Sequence, residues 1–416
     1  MTMSSVGGRV SRVLLGAVLV VSGAGCAAQS GRHAVAAAGT PDAAGGRGTV
    51  VSVTPVIGMS RAQVRDYLGD EGLASPGPRS GVSGFKVLYR TVSATGRPTL
   101  ASGVVVLPSD TAGALRAVSF THGTHAGRST AGSVAADGQS RIAAVYYAAA
   151  GYAGVAPDYL GLGEGPGAHP YLDAASEASA SLDMLRAARA VAARQGRELE
   201  RRVLVTGFSQ GGQAAMALGR RLQSGADSHL RLGALAPISG PYDLRRAQLP
   251  ETLRAQSPLD PRVSAFNLAY ATVSWNRLHH LYETPSDVFR APYDTTVEQL
   301  FDGGHDESEI FPQLPAGPEQ LMTPRYLRRL KHPSGALSRA IRAADGTCDW
   351  APDAPVRLYG ASGDEQVTFG NTRDCVRALR ARGTRPQVVD YGAGTGHFAT
   401  LHRALPDTLR WFQTHT

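Results

Sequence analysis

The chain has 416 residues, 43% hydrophobic and 18% charged, a globular composition sufficient for one large α/β domain with an insertion or for two small domains. Its formal charge is +8, and the surplus is arginine scattered along the chain in pairs such as Arg201-Arg202, Arg220-Arg221, Arg245-Arg246 and Arg328-Arg329. No RNA-binding signature or base-stacking aromatic pattern accompanies these residues, so they read as solvated surface with at most a mild attraction to anionic lipid, and no nucleic-acid partner is expected.

In chain order, residues 1–26 read as an export signal. Arg9 and Arg12 form a basic start, and Val13 to Val21 form an apolar run too short to span a bilayer comfortably. Gly23-Ala24-Gly25-Cys26 resembles a lipoprotein processing site with Cys26 as the lipidated residue, although Gly23 stands where an aliphatic residue is usual. Ordinary cleavage near Ala28 is the alternative. With Arg9 and Arg12 removed, 40 basic residues face 34 acidic ones, a balance of +6. Residues 27–50 are mostly Ala, Gly, Ser and Thr and should form a flexible tether, because they offer little apolar surface to offset ordering entropy.

A periodic pattern begins near residue 84. Phe85 to Tyr89 and Ala101 to Leu107 read as paired antiparallel strands around the turn-rich Ala94 to Pro98. Strands follow at Ala117 to Thr121, Tyr152 to Ala156, Val203 to Thr206 and Leu232 to Ile238, separated by helices over Ser140 to Ala150, Ala174 to Arg194 and Gln210 to Gln223. Val356 to Tyr359 and Val388 to Tyr391 complete the set. Fully apolar strands alternating with helices argue for a mostly parallel central sheet covered by helices on both faces. The alternation breaks over residues 245–350, which are richer in aromatics, with Phe266, Tyr270, Trp275, Leu278, Leu281 and Tyr282 near one stripe. This stretch reads as a helical cap over the site, and most of its stripe as packing of cap on body. The core would then comprise residues 51–244 and 351–416.

Gly207-Phe208-Ser209-Gln210-Gly211 follows a strand and opens a helix. A serine between glycines at such a turn can be lifted above the sheet edge as a nucleophile, with Gly207 and Gly211 letting strand and helix approach. Its hydroxyl needs a base, and His397, after the last strand and Gly394-Thr395-Gly396, is better placed than His279, His280 or His402. The acid that orients the imidazole should follow the preceding strand. Asp364 is the choice, and Glu365 is the neighbour that a one-residue register error would substitute. An oxyanion would be held by the backbone N–H of Gln210 and by that of Thr124 or a neighbour in the loop His122-Gly123-Thr124-His125, where Gly123 permits close approach. His122 and His125 alone do not make a metal site. Asp158 reads as a structural residue of the turn Asp158 to Gly163. Cys348 and Cys375 are the only cysteines besides Cys26, and an oxidising compartment favours a disulfide closing ~27 residues, worth roughly 3 kcal/mol; two buried free thiols are the alternative.

The run Gly151 to Gly163 with His169-Pro170-Tyr171-Leu172, together with His122-Gly123-Thr124 and Gly207 to Gly212, resembles the secretory lipase family of the α/β-hydrolase superfamily over roughly residues 55–414. The resemblance implies an α/β-hydrolase fold, a triad of Ser209, Asp364 and His397, a lid over an acyl pocket, and hydrolysis of lipid or other carboxylic esters. The expected reaction is two-step acyl transfer needing no cofactor or metal, on a small-molecule ester or lipid. Contact with a membrane is expected only through an N-terminal lipid anchor. The alternatives are an exported aminopeptidase, which would hold a substrate amine with acidic residues such as Asp302, Asp306, Glu307 or Glu309, an acyltransferase, or a non-catalytic lipid-binding or adhesion protein on the same scaffold.

Overall fold

A computed structural model describes residues 45–73 and 77–415. The export signal, Cys26 and residues 27–44 of the expected tether lie outside the described residues. Among the described residues nine strands form one sheet: β1 (Val50–Met59), β2 (Val82–Val92), β3 (Pro98–Pro108), β4 (Ala117–Thr121), β5 (Ala153–Pro157), β6 (Arg202–Phe208), β7 (Arg231–Ile238), β8 (Arg357–Gly360) and β9 (Gln387–Asp390). Their order across the sheet is β1-β2-β3-β5-β4-β6-β7-β8-β9. Pairing is antiparallel from β1 through β3 to β5 and parallel from β5 to β9, so the sheet is mostly parallel as expected.

The continuous apolar runs are explained by two covered faces. Along β3, Val105 and Leu107 belong to the same buried cluster as residues of the helices Ala174–Arg194, Gln210–Gln223 and Gly370–Ala381, whereas Val104 and Val106 belong to the one that includes residues of Arg61–Asp70, Gln139–Ala149 and His397–Thr414. Since successive strand residues point to opposite faces, a strand buried on both sides has no polar alternation to show. No helix among the described residues is long and apolar enough to cross a membrane.

Two elements depart from the expected organisation. Val50, assigned to the tether, already belongs to β1, and the helix Arg61–Asp70 follows it; both precede the start of the pattern near residue 84. β1 is an edge strand in which only Ile57 is buried, so it lacks a clear apolar signal and tolerates Pro55.

Between β7 and β8 the chain is helical and irregular and has its own apolar core around the helix Pro261–His279. Asp260 caps that helix, its carboxylate accepting from the N–H groups of Arg262 and Val263 at 2.8 and 3.1 Å, with Pro261 at the first helical position. Phe266, Tyr270, Trp275, Leu281 and Tyr282 of the aromatic stripe are buried, and Leu278 is half-buried. The two roots of the insertion meet: Asp345 accepts from the N–H of Leu244 at 2.6 Å and of Arg245 at 3.3 Å. Just beyond, Cys348 is bonded to Cys375 with Cα atoms 5.3 Å apart, which ties the return path to the helix Gly370–Ala381.

Candidate active site

β6 ends at Phe208, and the helix begins at Gln210, leaving Ser209 alone at the junction with φ 57° and ψ −124°. A non-glycine residue at positive φ is strained and is retained where the surroundings over-determine it. Those surroundings are close. A Cβ on Gly207 would lie 2.0 Å from Thr121 Oγ1, and one on Gly211 would lie 1.9 Å from Thr121 O and 2.5 Å from His122 O. Thr121 Oγ1 also lies 2.7 Å from Gly211 O, binding the end of β4 to the first turn of the helix. Ser209 N–H donates to Ile238 O at 2.9 Å and completes the turn.

His397 opens the terminal helix, and its Nδ1 lies 2.7 Å from Asp364 Oδ2; both side chains are only 1% exposed. The other carboxylate oxygen of Asp364 accepts from Gln366 N–H and Val367 N–H, each at 2.9 Å. Those two bonds fix the carboxylate plane, and an acceptor oxygen at Nδ1 leaves Nε2 as the nitrogen free to face the cavity. Glu365, the neighbouring candidate, instead accepts from the backbone N–H of His397 at 3.0 Å, so it positions the start of the helix rather than the ring. Phe208 packs on the imidazole with ring centroids 4.4 Å apart.

Ser209, Gln210, His397, Gly123 and Thr124 all line one cavity of about 500 Å³. The insertion supplies much of its apolar wall through Leu249, Val263, Phe266, Leu268, Ala271, Trp275 and Phe311. Gln210 stands at the first helical position, where its backbone N–H has no intrahelical acceptor. In the loop after β4, Gly123 N–H is engaged with Gln139 Oε1 at 3.1 Å, and the Thr124 hydroxyl lies 3.0 Å from the Tyr171 hydroxyl. A Cβ at Gly123 would meet protein atoms only at 3.4 Å, so the protein's own packing does not require glycine there. The insertion clasps this loop: Ala126 N–H donates to Glu307 Oε1 at 2.7 Å, Tyr270 donates to His125 O at 3.1 Å, and Arg128 N–H donates to Gly303 O at 2.9 Å.

The His122 and His125 rings pack at a tilt of 47° with centroids 4.8 Å apart, and burial lowers the pKa of both, that of His125 to about 3. Among the described residues, no group of three His, Cys, Asp or Glu is arranged to hold a metal ion. Asp158 is buried away from the cavity lining, accepting from Ser102 Oγ at 2.6 Å and Ser133 N–H at 3.1 Å. A Cβ on Gly163 would strike its carboxylate at 2.3 Å, so the carboxylate and the glycine shape that turn together. Of Asp302, Asp306, Glu307 and Glu309, Glu307 alone lines the cavity. Asp306 caps a short helix in a reciprocal arrangement with Glu309, and Asp302 pairs with His305.

Sequence reasoning did not find the polar residues behind the site. Glu177 and His169 are fully buried and both contact the Gln210 side chain, at 2.6 and 2.8 Å. The one available signal was a glutamate inside a helix face of Ala and Ser, where a charge has no solvent-facing purpose.

No family model matches the chain, and no curated protein matches it by sequence. Solved structures do. The rice cell wall degrading esterase LipA from Xanthomonas oryzae is 28% identical with a TM-score of 0.79, covering 89% of this chain and 98% of that one. A Legionella pneumophila protein assigned to the hydrolases is 25% identical, TM-score 0.79, covering 88% and 98%. Candida antarctica lipase A in its closed state is 15% identical, TM-score 0.63, covering 89% and 83%, and shares the fold alone. The chain has the α/β-hydrolase fold, and its likeness to esterases and lipases supports an ester hydrolase at the level of that fold.

Proposed function

We propose that the protein is an exported serine carboxylic-ester hydrolase of the esterase or lipase type. One observation carries this reading: Ser209, held at a strained turn, and His397, held by buried Asp364, open onto the same largely apolar cavity. In the proposed mechanism His397 Nε2 takes the Ser209 proton as Oγ attacks the ester carbonyl. The oxyanion forms against the N–H groups of Gln210 and of Thr124 or its neighbour. His397 returns the proton to the leaving alcohol, and an acyl-serine remains. Water then gives a proton to His397 and attacks the acyl carbon, and as the C–Oγ bond breaks His397 returns that proton to Ser209 Oγ, releasing the acid. Asp364 keeps its bond to Nδ1 throughout and supports the transient imidazolium. The chemistry uses no metal or cofactor.

The apolar wall suits an acyl chain. Glu307 already accepts from Ala126 N–H, and burial raises its pKa, which favours an ester over an α-amino substrate needing a full anionic partner. Export and lipidation at Cys26 rest on the N-terminal sequence, and the Cys348–Cys375 bond fits an oxidising compartment. Hydrolysis of p-nitrophenyl esters from acetate to palmitate by the mature protein and by Ser209→Ala tests the reading. Activity that the substitution abolishes is expected, with the best chain length separating esterase from lipase. Absence of activity on every ester, with turnover of aminoacyl anilides, would overturn it.

A further inference from the structure

Behind the nucleophile turn, three buried side chains from separate segments form one chain of hydrogen bonds. Gln210 Nε2 lies 2.8 Å from His169 Nε2 and 2.6 Å from Glu177 Oε1. His169 Nδ1 lies 2.9 Å from Leu160 O. A carbonyl can only accept, so Nδ1 carries the proton and Nε2 is the acceptor. The Gln210 amide must therefore present its NH₂ to the pair, spending one proton on His169 and the other on Glu177. This assigns both the tautomer and the amide orientation. It also restrains the side chain of Gln210, the residue whose backbone N–H is the expected oxyanion donor.

We propose that Glu177 is a positioning residue, acting through the side chain of Gln210 as a neutral acid to hold the oxyanion donor in place. This rests on the assignment of Ser209 as nucleophile. Two observations favour the neutral form. Glu177 Oε2 is buried without a hydrogen bond of good geometry, so that beyond Gln210 only the Leu172 backbone acts on the carboxyl, an arrangement poorly suited to an anion. A carboxylate there would also place negative charge beside the helix start where the oxyanion forms. Burial, with the charge of Asp173 on the same helix, moves the carboxyl pKa up to about 8.

The groups facing it from other elements stay uncharged while it titrates. His169 is pushed down to about 3 by burial, and His122 is lowered by burial. The Tyr159, Tyr171 and Tyr270 phenols are raised well above their usual range by burial. Glu307, which faces Tyr270 from the insertion, is also raised. Within the hydrogen-bonded set of Gln210, His169 and Glu177, the titration expected near pH 8 is therefore that of Glu177.

The test is the pH profile of kcat and KM on a p-nitrophenyl ester for wild type, Glu177→Gln, Glu177→Ala and Ser209→Ala, with fluorophosphonate labelling of each. Wild-type kcat should fall about tenfold on passing through pH 8 to 10, a scale set by one nearby charge at partly screened distance. Glu177→Gln, which keeps the acceptor oxygen but cannot ionise, should lack that alkaline fall. Glu177→Ala should lose about tenfold or more in kcat at about pH 7, with KM within about twofold, and Gln at the same position should rescue that loss. An alkaline limb in Glu177→Gln identical to wild type overturns the proposal, as does an alanine variant with unchanged kcat. If Glu177→Ala does not fold, the glutamine profile alone decides. Wild type that hydrolyses esters no faster than Ser209→Ala, without labelling, refutes the nucleophile and the proposal with it. An active, labelled wild type with an unmoved profile refutes the proposal alone.

Discussion

Gly211→Ala isolates the claim that the site depends on close approach of the helix to the end of β4. The added Cβ would sit 1.9 Å from Thr121 O, 2.4 Å from Thr121 C and 2.5 Å from His122 O. These atoms are backbone, and Thr121 is paired in the sheet opposite Gly207, so no side chain can swing aside. Relief needs a shift of roughly 1 Å or more between helix and strand, for which overpacking costs about 3 kcal/mol. Losing the buried bond from Thr121 Oγ1 to Gly211 O adds about 1 kcal/mol. At about 2.1 cal/mol/K per residue, a chain of this length loses roughly 1.1 °C per kcal/mol, so Tm should fall by about 4.5 °C. The same shift separates the N–H of Gln210 from the loop after β4, and kcat should fall about 100-fold with a smaller change in KM. Differential scanning calorimetry and ester kinetics read both effects. Gly69→Ala, in the first helix with nothing within 4 Å of its Cβ, is the control and should be neutral or slightly stabilising. A Gly211→Ala protein with wild-type Tm and kcat would refute the reasoning.

Three further outcomes are expected. Asp364→Asn should lower kcat by about 10³- to 10⁴-fold with little loss of stability, whereas Glu365→Ala, which removes only the acceptor for His397 N–H, should cost about tenfold or less; a reversed order in steady-state kinetics would reassign the acid. Replacing Cys348 and Cys375 by Ser should remove about 3.5 kcal/mol for a loop of 27 residues, read by urea denaturation, and an unchanged midpoint would contradict the estimate. Glu177→Gln should stabilise the fold in a pH-dependent way. The folded protein holds the Glu177 proton up to about pH 8 while the unfolded chain releases it near 4.5, so wild-type stability declines as pH rises through that window and levels off above it. The variant's advantage should grow from near zero at about pH 4.5 to roughly 4 kcal/mol at about pH 8. Urea titrations at the two ends give the difference, and one independent of pH would refute it.

Legibility in the sequence followed locality. The turn at Ser209 is written in five consecutive residues plus the strand and helix on either side, and the loops carrying Asp364 and His397 could be placed because a short apolar strand precedes each. The choice of Asp364 over Glu365 hung on a register of one residue, since adjacent carboxylates differ only in which one the turn at Gln366 and Val367 aims at the ring. β1 was missed because an edge strand buries too little to enforce alternation. Glu177 escaped notice because its meaning depends on Gln210, which approaches from another segment, and on His169, which fixes the direction of the shared amide.

The bond from Leu244 N–H to Asp345 has an evolutionary consequence. It brings together the two ends of a hundred-residue excursion at neighbouring strands, so the excursion leaves and rejoins the body at nearly one point. Growth or loss of residues within it is absorbed without altering the spacing between β7 and β8, because closing a longer loop adds little entropy. Mutation can thus explore new pocket walls as a cassette while the turns bearing Ser209, Asp364 and His397 inherit an unchanged frame.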